Sequence, residues 1–196
     1  NTTKTFRGII FLSLILMISN TAKSTVFSNT GVITIVDGAP ASPYGSTINV
    51  SGMAGTLSTI TVTLSNVSHD YVQDMSVILQ APSGQSLLLQ SGVADGASIS
   101  NLTYTFSDLG ASQLSATLPF TSGTYKPTGH FWDIWPAPAP PTPPGTGTYN
   151  IPGPFTSAYP LSTLTSTFGG LNPNGAWKLW VADFSNGGDP GIISGG

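Results

Sequence analysis

Two histidines and eight aspartates hold most of the ionisable chemistry of this 196-residue sequence, which has no cysteine and no glutamate. His69 stands next to Asp70 and five residues before Asp74. An imidazole beside carboxylates is the beginning of a base-and-orienter pair, but a serine hydrolase also needs an activated nucleophile. No Gly-x-Ser-x-Gly elbow occurs, and the other histidine, His130, has no recognisable catalytic context. The plainer reading of His69 is a turn histidine bonded to a nearby carboxylate or to backbone. On this reading no residue is assigned a catalytic role, and the chain is expected not to be an enzyme.

Calcium is the metal that the acidic residues suggest. Hard cations take several oxygens, from carboxylates and from carbonyls in turns. Asp37, Asp95, Asp108, Asp183 and Asp189 lie in or beside glycine-bearing turns, and Asp183 and Asp189 bracket Phe184-Ser-Asn-Gly-Gly188. These two are the candidate metal ligands. The sequence has no Asp-x-Asp-x-Asp-Gly loop, and an aspartate in a loop also caps its own turn through backbone N–H groups. A third candidate chemistry is aromatic. Trp132, Trp135 and Tyr149, with Phe131, Phe155 and Tyr159, could present a stacking platform to a glycan or a protein partner. The competing and favoured reading is that these rings pin a proline-rich loop onto the fold, because exposed apolar patches of that size are unusual in monomers.

The elements that must position these groups are strands. Thr56 to Gly92 contains two alternating runs. One has Leu57, Ile60, Val62 and Leu64 among hydroxyl residues; the other has Met75, Val77 and Leu79 facing one way. Period-two alternation marks half-buried strands. Ser65–Asp74 reads as the polar turn between them, and Ala81-Pro-Ser-Gly84 as a turn into Leu87–Leu89. Gly31–Val36, Ser46–Ser51, Ala97–Phe106, a weaker run Leu114–Phe120 and the run through Trp177, Leu179 and Val181 read as further strands, with Asn172-Pro-Asn-Gly175 a strong turn. Abundant Gly (23) and Pro (16) suit many turns and few helices. The fold class expected is all-β, an antiparallel sandwich. The composition shifts at Thr124, and 124–160, with Pro-Ala-Pro-Ala-Pro-Pro-Thr-Pro-Pro-Gly at 136–145, reads as a long surface loop capping one end of it.

Residues 1–24 read as a secretory signal peptide, with Lys4 and Arg7 before an apolar run Gly8–Ile18 and an Ala22-Lys-Ser24 ending. The run is shorter than the roughly 18–20 residues that span a bilayer, so no retained membrane span is expected. Removing the leader leaves Lys126 and Lys178 against eight aspartates, a formal charge of −6. An acidic chain without clustered Lys or Arg excludes a nucleic-acid partner. The expected location is secreted or at the cell surface, with residues 25–196 forming one domain.

Three pieces together resemble the P domain (P/Homo B domain), the companion module of subtilisin-like and kexin-type convertases. The first is Ser68–Gly84, in which His69, Asp74, Met75, Pro82 and Gly84 stand where the family has His, an Asp-Leu pair and Pro-x-Gly. The second, Asn174–Asp183, is similar to a Gly-x-Trp-x-Leu strand with an acidic end, carried here by Gly175, Trp177, Leu179 and Asp183. The third is Gly188-Asp-Pro-Gly-Ile-Ile193. The resemblance covers roughly residues 32–196, and rests on the order and spacing of the pieces. It implies a jelly-roll sandwich of the galactose-binding type. It also implies a non-catalytic stabilising or interaction role beside a protease or other domain of a longer chain. The proline-rich segment is expanded relative to the family, and the expected closing Trp-x-Leu strand does not follow Gly191–Gly196, so the last strand is expected to be incomplete. The rival expectation is an adhesin or carbohydrate-binding sandwich that uses the aromatics between 131 and 159.

Overall fold

The computed structural model describes residues 24–143, 146–155 and 160–196. The leader assigned to residues 1–24 therefore lies outside the described residues except for Ser24, as does Tyr159. The described chain is an all-β sandwich of two five-stranded sheets. One sheet has the order β1 (Ile33–Ile35), β10 (Gly191–Ile193), β3 (Val62–His69), β6 (Ile99–Phe106) and β7 (Gly123–Tyr125). The other has β2 (Ser46–Val50), β9 (Gly175–Asp183), β4 (Met75–Gln80), β5 (Ser86–Ser91) and β8 (Thr128–Gly129). Alternation places Ile33, Ile35, Leu64, Val67, Tyr104 and Phe106 of the first sheet against Met75, Val77, Leu87, Trp177 and Val181 of the second, in one buried core.

The sheets are mixed, where the sequence suggests purely antiparallel pairing. β7 joins β6 and β8 joins β5 in parallel register: residues 107–122 carry the chain back along β6 before β7, and the chain then passes to the other sheet at β8. Leu114–Phe120 is not a strand. Its Ser115 hydroxyl accepts the N–H groups of Thr117 and Leu118, a local turn that competes with ladder bonding. The first run of the central block also differs from expectation. β3 starts at Val62 and continues through Ser65–His69, which the polar composition assigns to a turn. Two register shifts against β6 make this possible, with Asn66 (φ 51°) and Asn101 (φ 52°) both left-handed. Each supports the other strand: Asn66 N–H donates to Thr103 Oγ1 and Asn101 N–H donates to Ser68 Oγ. Asparagine tolerates that backbone region better than most residues, and these bulges let a polar stretch stay in the sheet.

A second core lies outside the second sheet. Ile78, Leu88, Trp180 and Ala182 point outward from β4, β5 and β9, and they pack against Trp135, Ala139, Tyr149 and Ile151. The proline-rich segment is thus a cover over a sheet face, and not a cap on one end of the sandwich. Proline provides a covering chain that needs few ladder partners. Where partners are needed, Ser86 C=O accepts from Asn150 N–H and Asn150 C=O from Leu88 N–H. This explains why β5 is buried at every position, although its sequence does not alternate. Among the described residues the only α-helix is α1 (Leu164–Phe168), a single turn with a Thr163/Ser166 capping box, and a 3-10 turn at Val72–Asp74 leads into β4.

Candidate functional site

His69, Asp74, Asp183 and Gly191 gather at one end of the β4–β9 pair, whereas Pro82, Gly84 and Gly175 lie at the other. β4 pairs with β9 so that Met75 faces Asp183 and Leu79 faces Leu179, while β10 pairs with β3 so that Gly191 faces His69. His69 (1% exposed) and Asp183 (2%) are both buried. Tyr71 N–H donates to His69 Nδ1 at 3.2 Å, which makes Nδ1 the acceptor and puts the proton of the neutral ring on Nε2. Nε2 lies 3.2 Å from Asp183 Oδ2, within ion-pair reach but not aligned as a hydrogen bond. Asp183 Oδ1 accepts from Ser185 N–H at 2.8 Å. Burial pushes the nearby Asp74 carboxyl up, and the Asp183 and Asp189 carboxylates add to this. Gly191 is required by the packing. A Cβ there would sit 2.4 Å from His69 Cδ2 and 2.7 Å from the Ser68 carbonyl oxygen.

With one ring nitrogen of His69 taken by backbone and the other facing Asp183, the ring is held as a buried strut that ties β3 to β9. His130, the second histidine, directs Nε2 to the Leu114 carbonyl at 2.9 Å.

The loop from Asp183 to Asp189 has a polarity opposite to that of a cation cage. Gly188 and Asp189 donate their backbone N–H groups to Asp37 Oδ1 at 2.8 and 3.0 Å. The N–H of Asp189 is the main reason that Asp37 sits below the ordinary carboxylate range. Asp183 turns its carboxylate to His69, and Asp189 turns its own over Gly187. The two candidate calcium ligands therefore do not share a target, and among the described residues no three His or Asp side chains converge on a metal position. Asp108 is also committed, accepting from Leu164 N–H (2.9 Å) and Thr165 N–H (2.7 Å) as a remote cap of α1. Asp95 accepts from the Tyr71 hydroxyl at 2.7 Å.

The remaining motif positions lie in packing contacts. Gly175 (φ 128°) lies under Pro82, where a Cβ would come within 2.7 Å of the proline ring. Trp177 is in the main core, its indole N–H donating to the Pro173 carbonyl at 2.8 Å. Gly84 closes the turn after β4 by donating to the Ala81 carbonyl.

Of the proposed aromatic platform, Trp135 (5% exposed) and Tyr149 (1%) are core residues of the cover and offer no free ring face to a ligand. Burial of both rings is what anchors the proline-rich segment. Trp132 keeps 38% exposure, with its ring 5.2 Å from that of Phe155. Sequence reasoning missed Asp133 between them. Its carboxylate accepts from the buried Ser76 hydroxyl at 2.7 Å, and burial raises it to about 6. A lone Asp among aromatics in a covering segment is the signal that would have found it.

Among the described residues no helix is long and apolar enough to cross a membrane. Compared with known proteins, the chain matches no family model, no curated protein and no solved structure.

Proposed function

We propose that this chain is a non-catalytic P/Homo B-like module of an exported or cell-surface protein, with a jelly-roll topology of the galactose-binding type. In this reading it stabilises, or mediates interaction of, a neighbouring domain of the kind that carries subtilisin-like serine endopeptidase activity. The observation that supports it is the packing of the three motif pieces on one another. His69 meets Asp183 and Gly191 at one end of the β4–β9 pair, and Pro82 meets Gly175 at the other, so residues far apart in sequence serve two packing nodes that fix both ends of that pair. Burial of Trp135 and Tyr149 weighs against the alternative of a glycan platform on the aromatics.

The test begins with the intact mass of the protein from its native source, followed by removal of the module from that polypeptide. The expected result is a larger polypeptide whose attached domain loses thermal stability without the module, while this chain alone does not hydrolyse casein. A native polypeptide that ends with this sandwich, or casein hydrolysis that vanishes in His69→Ala while the fold survives, would refute the proposal.

A further inference from the structure

Beyond the edge of the proline-rich cover, the outer face of β4 and β9 carries a shallow basin of about 310 Å³ lined by Gln80, Ala81, Pro82, Gly84, Ala176 and Lys178. Gln80 and Lys178 are direct partners in the antiparallel ladder, so their side chains rise on the same face with Cα atoms about 5 Å apart. Trp180, the next outward residue of β9, sets both. Its indole N–H donates to Gln80 Oε1 at 3.2 Å, and its ring lies under the Lys178 ammonium at 5.5 Å. Tyr44 steadies that ring from the side, edge-on at 5.0 Å, and its hydroxyl donates to the Pro136 carbonyl.

This arrangement places two side-chain donors at the basin. With Oε1 occupied, Gln80 presents its NH₂ group to the basin. Lys178 is exposed, and among the described residues the one ion pair is His69 with Asp183, so no carboxylate neutralises the ammonium. A cation held on an aromatic ring beside a concavity, with no carboxylate paired to it, is complementary at close range to an external anion. Two donors side by side match the two oxygens of a carboxylate. The rest of the lining is small and largely apolar (Ala81, Pro82, Ala176), and the Trp180 face is taken by the ammonium, which leaves no open ring for a stacked sugar.

We propose that this basin binds the C-terminal carboxylate of a polypeptide ending in a small apolar residue, with Lys178 and Gln80 holding the carboxylate. The site does not depend on the companion-module reading, since its donors would act in a domain of any family.

The test is a titration of the ¹⁵N-labelled protein with N-acetyl-alanyl-alanine, with its C-terminal amide, and with acetate. The dipeptide acid is expected to shift the Trp180 indole and Gln80 carboxamide signals saturably, with the amide about tenfold weaker or worse. Lys178→Gln, at an exposed position that leaves the fold intact, is expected to lose about tenfold in affinity, and Lys178→Arg to keep most of it. Equal binding of acid and amide, no saturable shift, or an unchanged Lys178→Gln would overturn the proposal. Acetate binding as tightly as the dipeptide would overturn the assignment to a polypeptide end.

Discussion

Replacing Asp133 by Asn should make the domain more stable at neutral pH, although it deletes a charge from a hydrogen-bonded site. The Asp133 carboxylate accepts from Ser76 Oγ under the cover, and burial raises it from 3.8 to about 6, with the Asp74 charge adding to the effect. A carboxyl whose folded value lies above its unfolded value binds protons more tightly in the native state. Its contribution is fully present below the unfolded value and is lost as pH rises through the folded one. The window therefore runs from about pH 4 to about pH 6. A rise of this size corresponds to roughly 3 kcal/mol, and partial solvent access around the loop brings the expected loss to about 2 kcal/mol. Asparagine keeps an acceptor for Ser76 and cannot ionise. Urea unfolding followed by far-ultraviolet circular dichroism, from pH 3.5 to 8, should show Asp133→Asn equal to wild type at the acid end and more stable by about 2 kcal/mol above pH 7. Asp74 is raised in both proteins, so its own titration largely cancels, and the difference between the two curves reports Asp133 together with its repulsion from Asp74. A difference that is flat across this range, or a variant less stable at pH 7.5, would refute the reasoning.

Four further outcomes follow from the packing. Trp135→Ala should cost about 3–5 kcal/mol in urea unfolding and Trp132→Ala under about 1, since only the first ring is buried in the cover. Gly191→Ala should destabilise by about 2 kcal/mol or more through its clash with His69, read as a drop in Tm. Gln90→Leu should cost about 1–3 kcal/mol by stranding the Tyr104 hydroxyl, which donates to Gln90 Oε1 at 2.9 Å, and Tyr104→Phe in the same chain should recover part of that loss in a double-mutant cycle. Asp108→Ala should cost about 1 kcal/mol at pH 7. Burial pushes Asp108 up, but hydrogen bonds from Thr165 and Leu164 outweigh this and hold it below its ordinary value. Its contribution is therefore present above about pH 4 and disappears in acid, where variant and wild type should converge.

The legible part of this protein is local. Met75–Gln80 and the run through Trp177, Leu179 and Val181 alternate with period two, and both form strands of the expected extent because side-chain facing follows from backbone pleat alone. Asn172–Asn174 bends for an equally local reason just before β9 starts at Gly175: Asn172 Oδ1 accepts the Asn174 N–H two residues on. Residue types also pointed to the right places in part. His69 bonds backbone through Nδ1, as a turn histidine can, but the carboxylate it faces is Asp183, distant in sequence, and not the neighbouring Asp70 or Asp74.

Tertiary structure decided what those residues do. The loop after Asp183 has the composition of a cation site, but whether a loop presents carbonyls or N–H groups depends on backbone orientation, and here Asp37 fills it from β1's end of the chain. Asp108 caps a helix 56 residues away, an assignment no spacing rule contains. The parallel strands β7 and β8 are set by long-range connections, one back along the first sheet and one over to the second. The aromatic residues of the cover carry the same types whether they lie open to a ligand or closed over Ile78 and Leu88. Amino-acid type determines that a tryptophan stabilises whatever surface it buries. Only the folded chain determines that the surface is its own.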